Sequence, residues 1–239
     1  MRISHGRLSA MGLLTVLAFL QFGGADPLSA QEFDNAIFHF SQLEVDAERG
    51  SGLTVGRWSG SGWIGDDFDR VWWSTEGERM AGQVDGAEAT ALYGHYFRRF
   101  WDVVVGYRQD IKPTAQGYLT VGLMGLAPYW FEVGVFGYLS HKGRPSMRLE
   151  ADTDLYLTQR WILTPGGEVN WLIMSDNTND MNAGVSDLDL GLQTRYEIRR
   201  KFAPYVELRW VREQDTRVPD PSEVGGDGFR FGLGLRLIH

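Results

Sequence analysis

Glu150, Asp152 and Asp154 stand two residues apart, and Asp187 with Asp189 repeats the interval. In an extended chain that spacing puts every carboxylate on one face. Such a row can attract cations through oxygen donors, neutralise guanidinium groups, or supply the paired carboxyls of a glycoside hydrolase. Arginines share the same parity: Arg148 beside the triplet, then Arg195, Arg209, Arg230 and Arg236 further on. Continuing the register adds Glu132, Glu168, Glu197 and Glu207, and further upstream Glu44, Asp46, Glu76, Glu78 and Glu88 with Arg70 and Arg108. One polar face carrying this many charges of both signs reads as the lining of an interior. Any single member is expected to sit in a charge pair, while the acidic excess as a whole leaves open a second reading, a path that attracts cations.

Other chemistry has weaker support. Past residue 30 the histidines are His39, His95, His141 and His239, far apart in sequence and in no paired motif. By parity His39 and His95 share faces with Ile37, Leu43, Ala91 and Tyr93, which points to interfacial or structural roles. Met80, Met174 and Met181 fall near loops, where thioethers could catch a soft ion, but flexible apolar filler is the plainer reading. Cysteine is absent, so thiolate sites and disulfides are excluded. A lipase on a membrane wall needs a hydroxyl nucleophile beside a histidine, and no Ser or Thr accompanies a His in such a motif. Phosphate-loop and dinucleotide glycine patterns are missing too, so no enzymatic activity is expected. Acidic residues outnumber basic ones by 31 to 23, which argues against a nucleic-acid partner.

The elements that must position these residues have a period of two. Leu119, Val121 and Leu123 run on one parity toward Ala127-Pro128, and Phe131, Val133, Val135 and Leu139 leave on one parity. Pro128 lacks an amide donor and suits the turn between them. Tyr129, Trp130 and Phe131 beside it fit an interface between membrane and water. Alternation and turn signals predict strands at 37–46, 53–60, 70–80, 87–97, 101–110, 118–126, 129–140, 146–157, 161–173, 185–198, 202–213 and 229–238. Connections after even-numbered strands are tight, at 98–100, 127–128, 158–160 and 199–201, with 65–69 longer. Those after odd-numbered strands, at 48–52, 81–86, 111–117, 141–145, 175–184 and 214–228, are longer or more polar. The stretch 165–167, Pro-Gly-Gly, predicts a bulge.

Opposite the charged face, Met147, Leu149, Ala151, Thr153, Leu155 and Leu157 share one side. Leu188, Leu190, Leu192, Tyr196 and Ile198 do the same, as do Phe229, Phe231, Leu233, Leu235 and Leu237. A soluble sandwich also alternates, but strands of about ten to fourteen residues span a bilayer at the usual tilt, whereas sandwich strands average about six. The expectation is an all-β fold: a single antiparallel transmembrane β-barrel of outer-membrane type, about 12 strands, with apolar residues toward lipid and both termini periplasmic. Residues 1–30 read as a secretory signal peptide, with Arg2 and Arg7 before an apolar core and a cleavage site at Leu28-Ser29-Ala30 or, alternatively, at Ala25. Residues 31–36 form a short periplasmic segment and 37–239 the barrel. The last strand, from Phe229 to Ile238, is similar to terminal strands recognised by outer-membrane assembly machinery, which usually end in Phe or Trp; His239 departs from that.

Four stretches resemble the copper resistance protein B family. They are Trp63-Ile64-Gly65-Asp66-Asp67-Phe68-Asp69-Arg70-Val71-Trp72, Gly125-Leu126-Ala127-Pro128-Tyr129-Trp130-Phe131-Glu132, the run from Leu149 to Arg160, and the run from Gly191 to Val206. They keep their order over nearly all of the chain past the leader. The resemblance implies an outer-membrane barrel in a Gram-negative bacterium that contributes to copper resistance by binding, sequestering or passing copper ions, beside a periplasmic multicopper oxidase. Many family members carry a Met- and His-rich segment between signal and barrel; residues 31–36 here contain neither residue type. The alternative is a general outer-membrane channel that selects small solutes by charge.

Overall fold

The computed structural model describes residues 36–50, 53–175, 182–213 and 228–239. The predicted leader and nearly all of the short segment after it lie outside the described residues, as do Met181 and most of the two longest connections.

Every predicted strand is present. They are β1 (Phe38–Gly50), β2 (Leu53–Gly65), β3 (Asp69–Met80), β4 (Gln83–Arg98), β5 (Trp101–Lys112), β6 (Gln116–Ala127), β7 (Phe131–Ser140), β8 (Pro145–Asp152) with β9 (Leu155–Tyr156), β10 (Trp161–Leu172), β11 (Gly184–Tyr196), β12 (Phe202–Glu213) and β13 (Gly228–Ile238). All pairings are antiparallel between neighbours in sequence, and β13 pairs with β1. The sheet therefore closes on itself, with β8 and β9 as one interrupted stave, giving twelve staves. A closed ring leaves no free strand edge and satisfies the backbone where no water can do so.

The register sorts side chains as alternation requires. Leu119 (64%), Val121 (59%), Leu233 (57%) and Phe229 (70%) are exposed on the outer wall. In a soluble protein a continuous apolar belt of that extent would face water; around a closed barrel it faces lipid. Phe68, Phe97, Phe100, Tyr129, Trp130 and Tyr156 are exposed at the rim where the even-numbered turns lie. That aromatic rim fits the level of lipid headgroups.

Three expectations change. First, the pairing of Gly50 with Leu53 and of Met80 with Gln83 shrinks the predicted 48–52 and 81–86 loops to two residues each. Ala81 (φ 48°) and Gly82 (φ 87°) make the second turn with two left-handed residues, which matches the twist of the flanking strands. Hydrogen-bond ladders run on past the apolar belt, where polar side chains no longer mark a strand. Second, the register through Pro165-Gly166-Gly167 is regular, and the shift in β10 lies between Asn170 and Trp171. What Pro165 disrupts is its neighbour. Its carbonyl accepts from Thr153 N at 3.2 Å, but it has no N–H to return the bond, and the stave breaks between β8 and β9. Third, Thr153 is buried rather than lipid-facing, its hydroxyl donating to the Trp130 carbonyl at 3.1 Å. Pro165→Val is expected to join β8 to β9 and stabilise the barrel by about 0.5–1 kcal/mol, one net backbone hydrogen bond; amide exchange at Thr153 to Leu155 and urea unfolding measure it.

Candidate functional site

The inward face is built around arginines that reach several strands at once. Arg148 on β8 donates to Glu88 on β4 at 3.1 and 3.4 Å and to Asn170 on β10 at 3.0 Å, and its Nε lies 3.1 Å from Glu168. Since β4 and β8 are separated by three strands around the ring, this contact crosses the bore. Arg108 on β5 meets the same Glu88 at 2.6 Å and Asp110 at 2.8 Å. Both guanidinium groups lie over the Tyr138 ring, at 5.0 and 5.8 Å.

A second knot joins the seam strands. Glu48, only 1% exposed, accepts from Arg57 and, at 2.8 Å, from Arg209, whose other nitrogens grip Asp189. Toward the turn rim Arg236 meets Glu44 at 2.5 Å and Gln193 at 2.9 Å. Arg195 clasps both oxygens of Asp154 and donates to Thr164 at 2.7 Å. Planar guanidinium forks suit such multi-partner pairing.

Of the carboxylates outside these knots, three lie together on β7 and β8. Glu132 and Asp152 face each other across β7 and β8 on the inward parity and are both exposed to the bore. Glu150, next along that face, lies opposite Gly134 and Glu168. A Cβ on Gly134 would come within 2.6 Å of Glu150 Oε1, so a larger residue there would push the carboxylate aside. None of the three has an ion pair or side-chain hydrogen bond among the described residues. Like charges directly opposite in an antiparallel pair repel, so the row favours an incoming cation.

The residues expected to line the interior fall into separate groups. Arg148, Asp154, Asp189, Arg195, Arg209 and Arg236 belong to knots, Glu207 stands 3.9 Å from Arg57, and Asp187 accepts from Ser186 at 2.8 Å. Arg230 is buried and inward, opposite Arg209. Glu197 lies just past the end of β11, its N–H still donating to the Arg160 carbonyl at 2.9 Å. Sequence reasoning missed Glu48 and Arg57, assigned to a loop and left unnamed respectively, and also Asp102 and Asp110, although inward parity on β5 marks both. It missed an apolar filling as well. Leu92, Val104, Phe136 and Tyr138 are buried inside the ring, with Trp72, Tyr118 and Met124 packed against them. Phe136 and Tyr138 alternate with the outward residues of β7, and that was the available signal.

Two of the weak ligand candidates fall among the described residues. Met80 ends β3, and Met174 is exposed beyond β10. Among the described residues no group of three or more His, Asp or Glu side chains is placed to hold a metal ion. Two contacts between distant residues were not legible. His95 Nδ1 lies 2.7 Å from Asp69, which also accepts from Tyr93, on the outer wall. His39 and His239 stack with ring centroids 5.8 Å apart.

A closed antiparallel ring with an apolar outside, aromatic rim and charged bore defines an outer-membrane β-barrel, which places the chain in the outer membrane of a Gram-negative bacterium. Solved structures with this fold include the NanC porin, at TM-score 0.58 and 12% identity over 82% of this chain and 98% of that one, and the KdgM porin, at TM-score 0.51, 12% identity and the same coverage. The family model described as Copper resistance protein B precursor (CopB) matches residues 35–239. The chain belongs to the copper resistance protein B family. It is 41% identical to Copper resistance protein B of Escherichia coli over 74% of this chain and 60% of that protein. It is 43% identical to the Copper resistance protein B homolog of Pseudomonas syringae pv. tomato over 85% of this chain and 69% of that protein.

Proposed function

We propose that the barrel contributes to copper tolerance by drawing copper(II) into its bore and holding or passing it there. The observation that carries this reading is the row Glu132, Asp152 and Glu150, inward carboxylates that form no direct ion pair among the described residues. Family membership supplies the ion. The donors on that row are oxygens, which suit copper(II) and not copper(I), whose preferred thiolate and thioether ligands are missing from it. Arg148 and the other knots fix the walls so that the carboxylates keep their spacing. Glu132 sits beside the aromatic turn rim, so ions leaving there meet the periplasm, where a multicopper oxidase is the partner proposed to receive them.

Deleting the gene is expected to make the host sensitive to copper, and the intact gene to restore tolerance. Unchanged growth across a range of copper loads overturns the reading. A large, steady current in planar bilayers that copper does not alter would instead support a general charge-selective channel.

A further inference from the structure

We propose that His39 and His239 form a copper(II) site on the outer wall of the barrel, at the seam where the first and last strands meet. Copper as the ion rests on the function proposed above; the pair of imidazoles does not. His239 is pinned opposite Ser41 by two backbone bonds, Ser41 N to His239 O at 3.0 Å and His239 N to Ser41 O at 2.8 Å. His39, two residues earlier on the same outward face, is then its diagonal neighbour, within reach of a ring across the ladder. The rings lie 5.8 Å apart between centroids with planes 26° from parallel.

Both side chains are exposed, and no protein group bonds to either ring among the described residues. They differ in this from His95, whose Nδ1 is already on Asp69. Rotation about the side-chain torsions can turn one nitrogen of each exposed ring toward a common point, where bonds of about 2 Å set two neighbouring imidazole nitrogens roughly 3 Å apart. Imidazole suits copper, nickel and zinc, and among these divalent ions copper binds tightest. Water completes the coordination, since the pair stands at the strand ends beside the turn rim and outside the carboxylate-lined bore. Strand closure thus builds a ligand pair that neither terminal segment contains by itself.

The test is a copper(II) titration of the full chain folded in detergent, followed by electron paramagnetic resonance. The unaltered protein is expected to show a signal split by two imidazole nitrogens. His39→Ala or His239→Ala should weaken that site at least tenfold and leave one-nitrogen splitting, while His141→Ala changes nothing. Heat-modifiable migration on gels confirms that each variant is folded. A double His39→Ala, His239→Ala variant that keeps both the two-nitrogen signal and the affinity overturns the proposal. Neutralising Glu132, Glu150 and Asp152 should leave this signal intact, so failure of the seam site and failure of the bore reading give different results.

Discussion

Arg148→Met is expected to lower the stability of the barrel by about 3 kcal/mol, the low end of the cost of breaking a buried ion pair, because Glu88 keeps Arg108 at 2.6 Å. Glu88 and Glu168 would both lose the guanidinium that spans them, and Asn170 would lose its donor at 3.0 Å. Water cannot fully replace it, because the side chain is only 11% accessible and packs against Tyr138, which is buried. The contact joins β4 to β8, so its loss loosens the ring across the bore and not merely between neighbours. Arg148→Lys should fall between the two, keeping the charge but not the planar fork that serves three partners. Urea unfolding in lipid vesicles, followed by tryptophan fluorescence, measures both variants. A change below about 1 kcal/mol for Arg148→Met would show that the crossing contact does not hold the walls.

Replacing Glu132, Glu150 and Asp152 together by their amides should weaken copper(II) binding in the bore at least tenfold, about 1.4 kcal/mol. Two unit charges about 4 Å apart interact by roughly 4 kcal/mol at the effective dielectric of a protein surface, so three lost charges leave ample margin even after screening. The stability effect has the opposite sign. Glu132 and Asp152 face each other, and removing that repulsion should leave the barrel as stable or slightly more so. Calorimetric copper titration and urea unfolding read the two quantities separately. Weaker binding with lower stability would mean that the row is structural; unchanged binding would remove the bore as the copper path. Asp154 is left untouched because Arg195 and Thr164 already hold it, and its loss would confound the readout.

The period of two, the turn residues and the aromatic run at Tyr129, Trp130 and Phe131 were enough to place all twelve staves, because each depends only on neighbours along the chain. Inward parity was equally local, and it sorted Glu150 from Leu149 and Arg195 from Leu192 without any knowledge of partners. Strand ends were less legible. Glu48, Arg49 and Gln83 form ladder pairs outside the apolar belt, where alternation of polarity stops while hydrogen bonding continues.

The sequence by itself determined that this chain alternates between lipid and an interior, and which residues face each way, since a strand's geometry dictates both. Only the tertiary structure decided which interior charges are neutralised. Glu88 meets Arg148 across the bore, while Asp152, two residues past a row-mate of Arg148, meets none. Closure of the ring decided too that His39 and His239, at opposite ends of the barrel sequence, stand side by side. Pairings of that kind depend on how far apart the walls are and on which strand closes against which, and these quantities exist only once the sheet has curled and its first and last strands have joined.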